Sequence, residues 1–182
     1  MWKLSEYLRA IAGNALAQLR IAGKYHLFSS ADRKYSRPAL YWARRAARSG
    51  EPVGYLLAAN IILCNEPDEE SWKQVFEAYR AAANAGSADG QQALAWCYEQ
   101  GVGVLKNPAL GWHWLNVAAA NGSREAQLAL AKCYAEGDGV GRDDARALFF
   151  LELAQQHVHV AKRHEGNVVP FRRPGEKPTP GG

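Results

Sequence analysis

With 182 residues, 48% of them hydrophobic, the chain is long enough for one domain with a real core. A net charge of +4 hides an uneven distribution: residues 1–50 hold ten Lys/Arg against two acids, residues 51–157 seven against fourteen, and residues 158–182 five against two. Residues 1–10 show no secretory apolar run, the longest nearly uncharged stretch (53–64) is too short to cross a bilayer, and three cysteines exclude a full disulfide framework. These features predict a cytoplasmic protein with reduced, buried cysteines, and a charge polarity that orients a charged partner.

In chain order, residues 4–13 read as a short helix that caps the open end of a helical stack, and residues 1–14 form that capping unit. Residues 15–50 close on Ala46-Ala-Arg-Ser-Gly50, residues 51–86 on Ala82-Ala-Asn-Ala-Gly86 and residues 87–122 on Ala118-Ala-Ala-Asn-Gly122, a step of 36 residues. The same step relates Gly101-Val-Gly-Val104 to Gly137-Asp-Gly-Val140 in residues 123–157. A fixed period of this size marks a repeat array. Within residues 87–122, two apolar-periodic stretches, 88–100 and 108–120, flank the glycine turn, so each repeat is predicted as a helix-turn-helix. Its first helix (A) carries Leu94, Ala95 and Tyr98, and its second (B) carries Trp114, Leu115, Ala118 and Ala119, at the spacing of a buried stripe. Gly101 and Gly103 suit a left-handed helix end, with Val104 folding back onto the apolar face. Asn107-Pro108 and Asp143 are placed to cap helix B. In residues 51–86 the glycine turn is replaced by Asn65-Glu-Pro-Asp-Glu-Glu70, whose acidic run Asp68-Glu-Glu70 stands at the start of a helix near Ser71. After Val168, four prolines among glycines and Arg172, Arg173 and Lys177 predict a disordered tail, residues 158–182 lying outside the array.

The residues Ala126-Gln127, Leu130-Ala131, Tyr134, Gly137-Asp-Gly-Val140, Asp143, Ala147 and Phe150 resemble the Sel-one-like repeats, which are helical-pair repeats related to the tetratricopeptide class. So do Gln91, Leu94-Ala95, Tyr98, Gly101-Val-Gly-Val104, Trp114, Ala118-Ala119 and Gly122. The likeness weakens upstream, where Ala58-Ala59 and Ile62 replace Leu-Gly and Tyr. It implies an all-α, right-handed α/α solenoid of about four repeats with an N-terminal capping half-repeat. It also implies protein–protein interaction: either a bacterial immunity protein that neutralises a secreted toxin, such as a type VI secretion effector, or an adaptor or regulatory scaffold.

No chemistry is expected. Gly137-Asp-Gly-Val-Gly141 mimics a phosphate loop but no strand precedes it, and no nucleophile has a base at a recognisable spacing. His157, His159 and His164 read as an exposed cluster rather than a metal site. Nucleic-acid binding through Arg33, Lys34, Arg37, Arg44, Arg45 and Arg48 lacks a motif. The chain is therefore read as a non-enzyme with no catalytic residue, cofactor or metal. In this architecture the A helices line the concave side. Their non-core positions, four residues apart and recurring every 36, are Arg20 and Lys24, Leu56 and Asn60, Gln92 and Trp96, Leu128 and Lys132. They are expected to form two rows that bind another protein, with Trp96 as anchor and the cations matched to an acidic partner segment.

Overall fold

The computed structural model describes residues 4–29, 32–65 and 67–161. Among these residues there are nine α-helices and no strand: α1 (Leu4–Ile11), α2 (Ala15–Ser29), α3 (Ser36–Arg48), α4 (Val53–Leu63), α5 (Glu69–Asn84), α6 (Ala88–Gln100), α7 (Pro108–Ala120), α8 (Arg124–Glu136) and α9 (Asp144–Ala161). A 3-10 turn, Arg33–Tyr35, leads into α3. The tail through residue 182, with His164, and the side chains of His157 and His159 lie outside the described residues.

Helix starts are written in polar caps. Ser87, Ser123, Asn107 and Asp143 each accept a hydrogen bond from the backbone N–H three residues on, at 3.2, 3.2, 3.1 and 2.9 Å. Asp68 does the same from Ser71 at 2.8 Å, so α5 begins directly after it and takes Glu69 and Glu70 into its first turn, two residues earlier than the acidic run suggested. Helix ends are written in glycine: Gly101 (φ 78°) and Gly137 (φ 73°) are left-handed caps of α6 and α8. Val104 folds back onto the middle core, as its position beyond the cap implies.

Helices pack on their neighbours in sequence, α1 on α2 through α8 on α9, the local connectivity of a solenoid. Helices α2, α4, α6 and α8 are of the A type, while α1, α3, α5, α7 and α9 are of the B type. Each A helix presents a small residue, a larger one and a tyrosine or isoleucine at i, i+4 and i+8: Ala17-Ile21-Tyr25, Gly54-Ala58-Ile62, Gly90-Leu94-Tyr98 and Ala126-Leu130-Tyr134. The small residue sets how closely the helices approach. A Cβ on Gly54 would lie 2.5 Å from the Ala47 nitrogen, and one on Gly90 would lie 2.6 Å from the Ala82 Cβ. Three core clusters result, centred on Ile21, Leu57 and Ile61, on Tyr79 and Leu94, and on Ala126 and Leu130.

Candidate protein-binding face

A ladder of buried glutamines sets the register of the A helices. Gln18 donates through Nε2 to the Ala10 carbonyl (2.9 Å), Gln91 to Ala83 (3.4 Å) and Gln127 to Ala119 (3.0 Å), each reaching the end of the preceding B helix eight residues back. The Oε1 of Gln18 accepts from Ser49 at 3.1 Å and that of Gln91 from Asn121 at 2.8 Å, which ties the A helix to the last turn of its own B helix. Tyr55 stands at this position in the second pair. There a groove of about 380 Å³ opens between α3, α4 and α5, lined by Arg44, Arg48, Tyr55, Lys73 and Glu77 among others.

This ladder corrects the spacing of the first repeat. The glycines closing α1, α3, α5 and α7 are Gly13, Gly50, Gly86 and Gly122, all with positive φ, so the first step is 37 residues and the next two are 36. The register equivalents of Leu56 and Asn60 are thus Leu19 and Gly23. Arg20 and Lys24 sit one residue, about 100°, further round α2. Both face α1, within 3.9 and 3.7 Å of the Glu6 carboxylate. Aligning Ala17-Gln18 with Ala126-Gln127 is the signal that would have revealed the extra residue.

A second correction concerns the middle of the two rows. Leu56, Asn60 and Gln92 are buried, at 2%, 6% and 8% exposure, and form no surface. The following A helix covers this position: the N-cap hydroxyl of Ser123 at the start of α8 donates to the Gln92 Oε1 at 3.2 Å. Leu128, in the same register on α8, is 36% exposed, and no further A helix follows it among the described residues. In the other row Trp96 is half-buried against the core cluster of α4 to α7, and Lys132 is exposed, 4.0 Å from Glu136. Trp96 on α6 and Lys132 on α8 thus hold equivalent positions one repeat apart, Leu128 stays partly exposed in the other row, Leu56, Asn60 and Gln92 lie inside, and Arg20 and Lys24 lie against α1.

Of the cysteines, Cys97 is buried, and burial pushes its thiol up to about 12, which makes it a poor nucleophile. Cys133 is half-buried and raised for the same reason, whereas Cys64 follows the end of α4 and is exposed, against the expectation that all three lie inside. Asp89, at the start of α6, has its carboxyl raised by burial and then by Glu125, its counterpart 36 residues on. Among the described residues no three His, Cys, Asp or Glu side chains converge as metal ligands, and no helix is long and apolar enough to cross a membrane.

Successive A and B helices joined by interchangeable junctions define an α/α solenoid of the tetratricopeptide-like class. Within that class, the Sel1 repeat pattern matches residues 15–51, 88–123 and 124–154, more than half of the chain, which belongs to the Sel1 repeat family. The stretch between the first two matches is the pair in which Tyr55 replaces the ladder glutamine and no Gly-x-Gly turn occurs. Two solved structures are similar. One is c5321, a protective antigen of uropathogenic Escherichia coli strains displaying an SLR fold, with 28% identity over 84% of this chain and a TM-score of 0.70. The other is a Sel1 repeat protein from Oxalobacter formigenes, with 26% identity over 87% of this chain and a TM-score of 0.67. This chain spans 32% of the first and 62% of the second. No curated protein matches it. Sel1 repeat proteins are protein-interaction scaffolds.

Proposed function

We propose that the chain is a cytoplasmic immunity protein that binds and neutralises a secreted toxin, with Trp96 and Lys132 at the centre of the contact. The observation that supports this reading is the pair itself. Trp96 is an aromatic side chain held half-buried by the core, and Lys132 is an exposed cation one repeat further along the same row. A partly desolvated indole is the kind of side chain that anchors a binding hot spot, and the Lys132 cation in the same row suits an acidic segment of the partner. Free cysteines in all three positions suit a reducing compartment. The protein works by occlusion and has no catalytic role.

The test is affinity capture of the tagged chain beside a Trp96→Ala, Lys132→Glu variant, followed by co-expression with the captured protein. A single stoichiometric partner that is lost in the variant, and whose toxicity the native chain suppresses, supports immunity. A dominant partner that is not toxic assigns the chain to the adaptor or regulatory scaffold class instead. Capture unchanged by the two substitutions removes Trp96 and Lys132 from the interface.

A further inference from the structure

Among the described residues the array holds five B helices and four A helices. Each A helix has its stripe, small-Leu-Tyr in α6 and α8, packed against the B helix before it, α2 on α1, α4 on α3, α6 on α5 and α8 on α7. Helix α9 is the B helix left over. In α5 the residues that receive the next A helix are Phe76 and Tyr79, 7% and 0% exposed, with the Phe76 ring edge-on to Tyr98 of α6 at 5.6 Å. In α7 they are Trp112 and Leu115, both packed in the core cluster of α8, with Trp112 edge-on to Tyr134 at 6.0 Å. The corresponding residues of α9 are Leu148 and Leu151, and they are 57% and 40% exposed. The register is fixed by capping: Asp143 N donates to the Tyr134 carbonyl (2.8 Å) just as Asn107 N donates to the Tyr98 carbonyl (2.7 Å). Leu128 on α8 completes the patch, because Gln92 at its position is covered by the start of the next A helix.

We propose that Leu128, Leu148 and Leu151 form a docking face for a helix of a partner protein, one that carries a small residue, a leucine and a tyrosine at i, i+4 and i+8 and continues the array in trans. The inter-repeat interface that runs through α5/α6 and α7/α8 is continuous with this face, so the same geometry dictates what fits it. Among the described residues all four A helices are in use, and residues 162–182 contain neither leucine nor tyrosine. A second copy has its own A helices covered in the same way. Leu148 and Leu151 lie on α9, apart in the chain from Trp96 on α6, while Leu128 is one turn from Lys132 on α8, so the α9 substitutions test this face independently of that pair.

The probe is a hydrocarbon-stapled, fluorescein-labelled peptide with the sequence of residues 123–137, the helix that covers α7, titrated into the full chain and read by fluorescence anisotropy. Saturable binding is expected, weakened at least tenfold by Leu148→Glu, Leu151→Glu and left unchanged by Phe149→Glu. Phe149 is 58% exposed but lies at the register of outward-facing His113. Both leucines are exposed, so the variants should melt as the native chain does. Absence of saturable binding overturns the proposal, as does loss of binding in Phe149→Glu equal to that in the leucine variant. Concentration-dependent dimers abolished by the leucine substitutions, seen by sedimentation, overturn it in favour of a second copy. Binding seen only after removal of residues 162–182 overturns it in favour of the chain's own tail.

Discussion

Gly103 and Gly139 occupy the same place in consecutive turns with nearly the same backbone, φ 65° and 71°, but not the same surroundings. A Cβ on Gly103 would lie 2.3 Å from the Trp72 carbonyl oxygen of α5, whereas one on Gly139 meets nothing within 4 Å. Gly139→Ala therefore carries only the left-handed strain, a loss of about 1 kcal/mol. Gly103→Ala adds overpacking against α5, a further loss of about 1–3 kcal/mol. Urea unfolding of the two variants measures the difference, and equal losses would show that the Gly103 turn does not press on α5. A second test at this scale uses Asn60. Its Oδ1 is buried and has no hydrogen-bond partner among the described residues. Asn60→Leu removes an unsatisfied acceptor from an apolar site and should stabilise the fold by about 1 kcal/mol, read from the same unfolding curves.

At the scale of the element, the A helices α6 and α8 begin on serine caps, and in each the second helical residue is acidic, Asp89 and Glu125. Stacking the repeats brings these two like charges into range, and burial raises the Asp89 carboxyl above its ordinary value. A folded-state value above the unfolded one means that the associated stability is complete below the ordinary carboxylate range and is lost as pH rises through the shifted value. Asp89→Asn should therefore melt higher than the native chain at pH 7, with the gap closing by about pH 3, where both states of Asp89 are protonated. A constant gap across that range would mean that the carboxyl is not the group responsible.

Over the whole molecule, each helix touches little beyond its neighbours, so stability is a sum of local pairs and their junctions. Large fully buried side chains run from Ile21 in α2 through Leu57, Tyr79 and Leu94 in α4–α6 to Leu130 in α8, while α1 and α9 expose Leu4, Leu8, Leu148 and Phe149. Amide hydrogen exchange should be slowest in α4–α6 and should quicken toward both ends. Uniform protection from α1 to α9 would show that the array unfolds as a single unit. The charge polarity belongs to this scale as well: the arginines of α3 stand in the first half of the array and the acids of the α8–α9 turn near its other end, so partner association should slow as salt is raised.

The sequence by itself determined the elements, their pairing and the family. Helical periodicity, a serine or asparagine at a helix start and a glycine at its end are demands of the local backbone, met by residues close together in the chain. They are legible at Ser87, Asn107, Gly101 and Gly137 without reference to the rest. The tertiary structure alone decided which positions of an A helix are surface. Leu56 and Gln92 share their register with Leu128, and Asn60 shares its own with Trp96 and Lys132, but these three are inside, because the small residues Gly90 and Ala126 let the next helix approach closely enough to cover their neighbours. It also decided the register of the first pair. An extra residue between α2 and the end of α3 leaves the periodicity of each helix intact and appears only when Gln18 is seen to reach Ala10 as Gln91 reaches Ala83. Burial and register depend on what arrives from elsewhere in the chain, and no single helix encodes that.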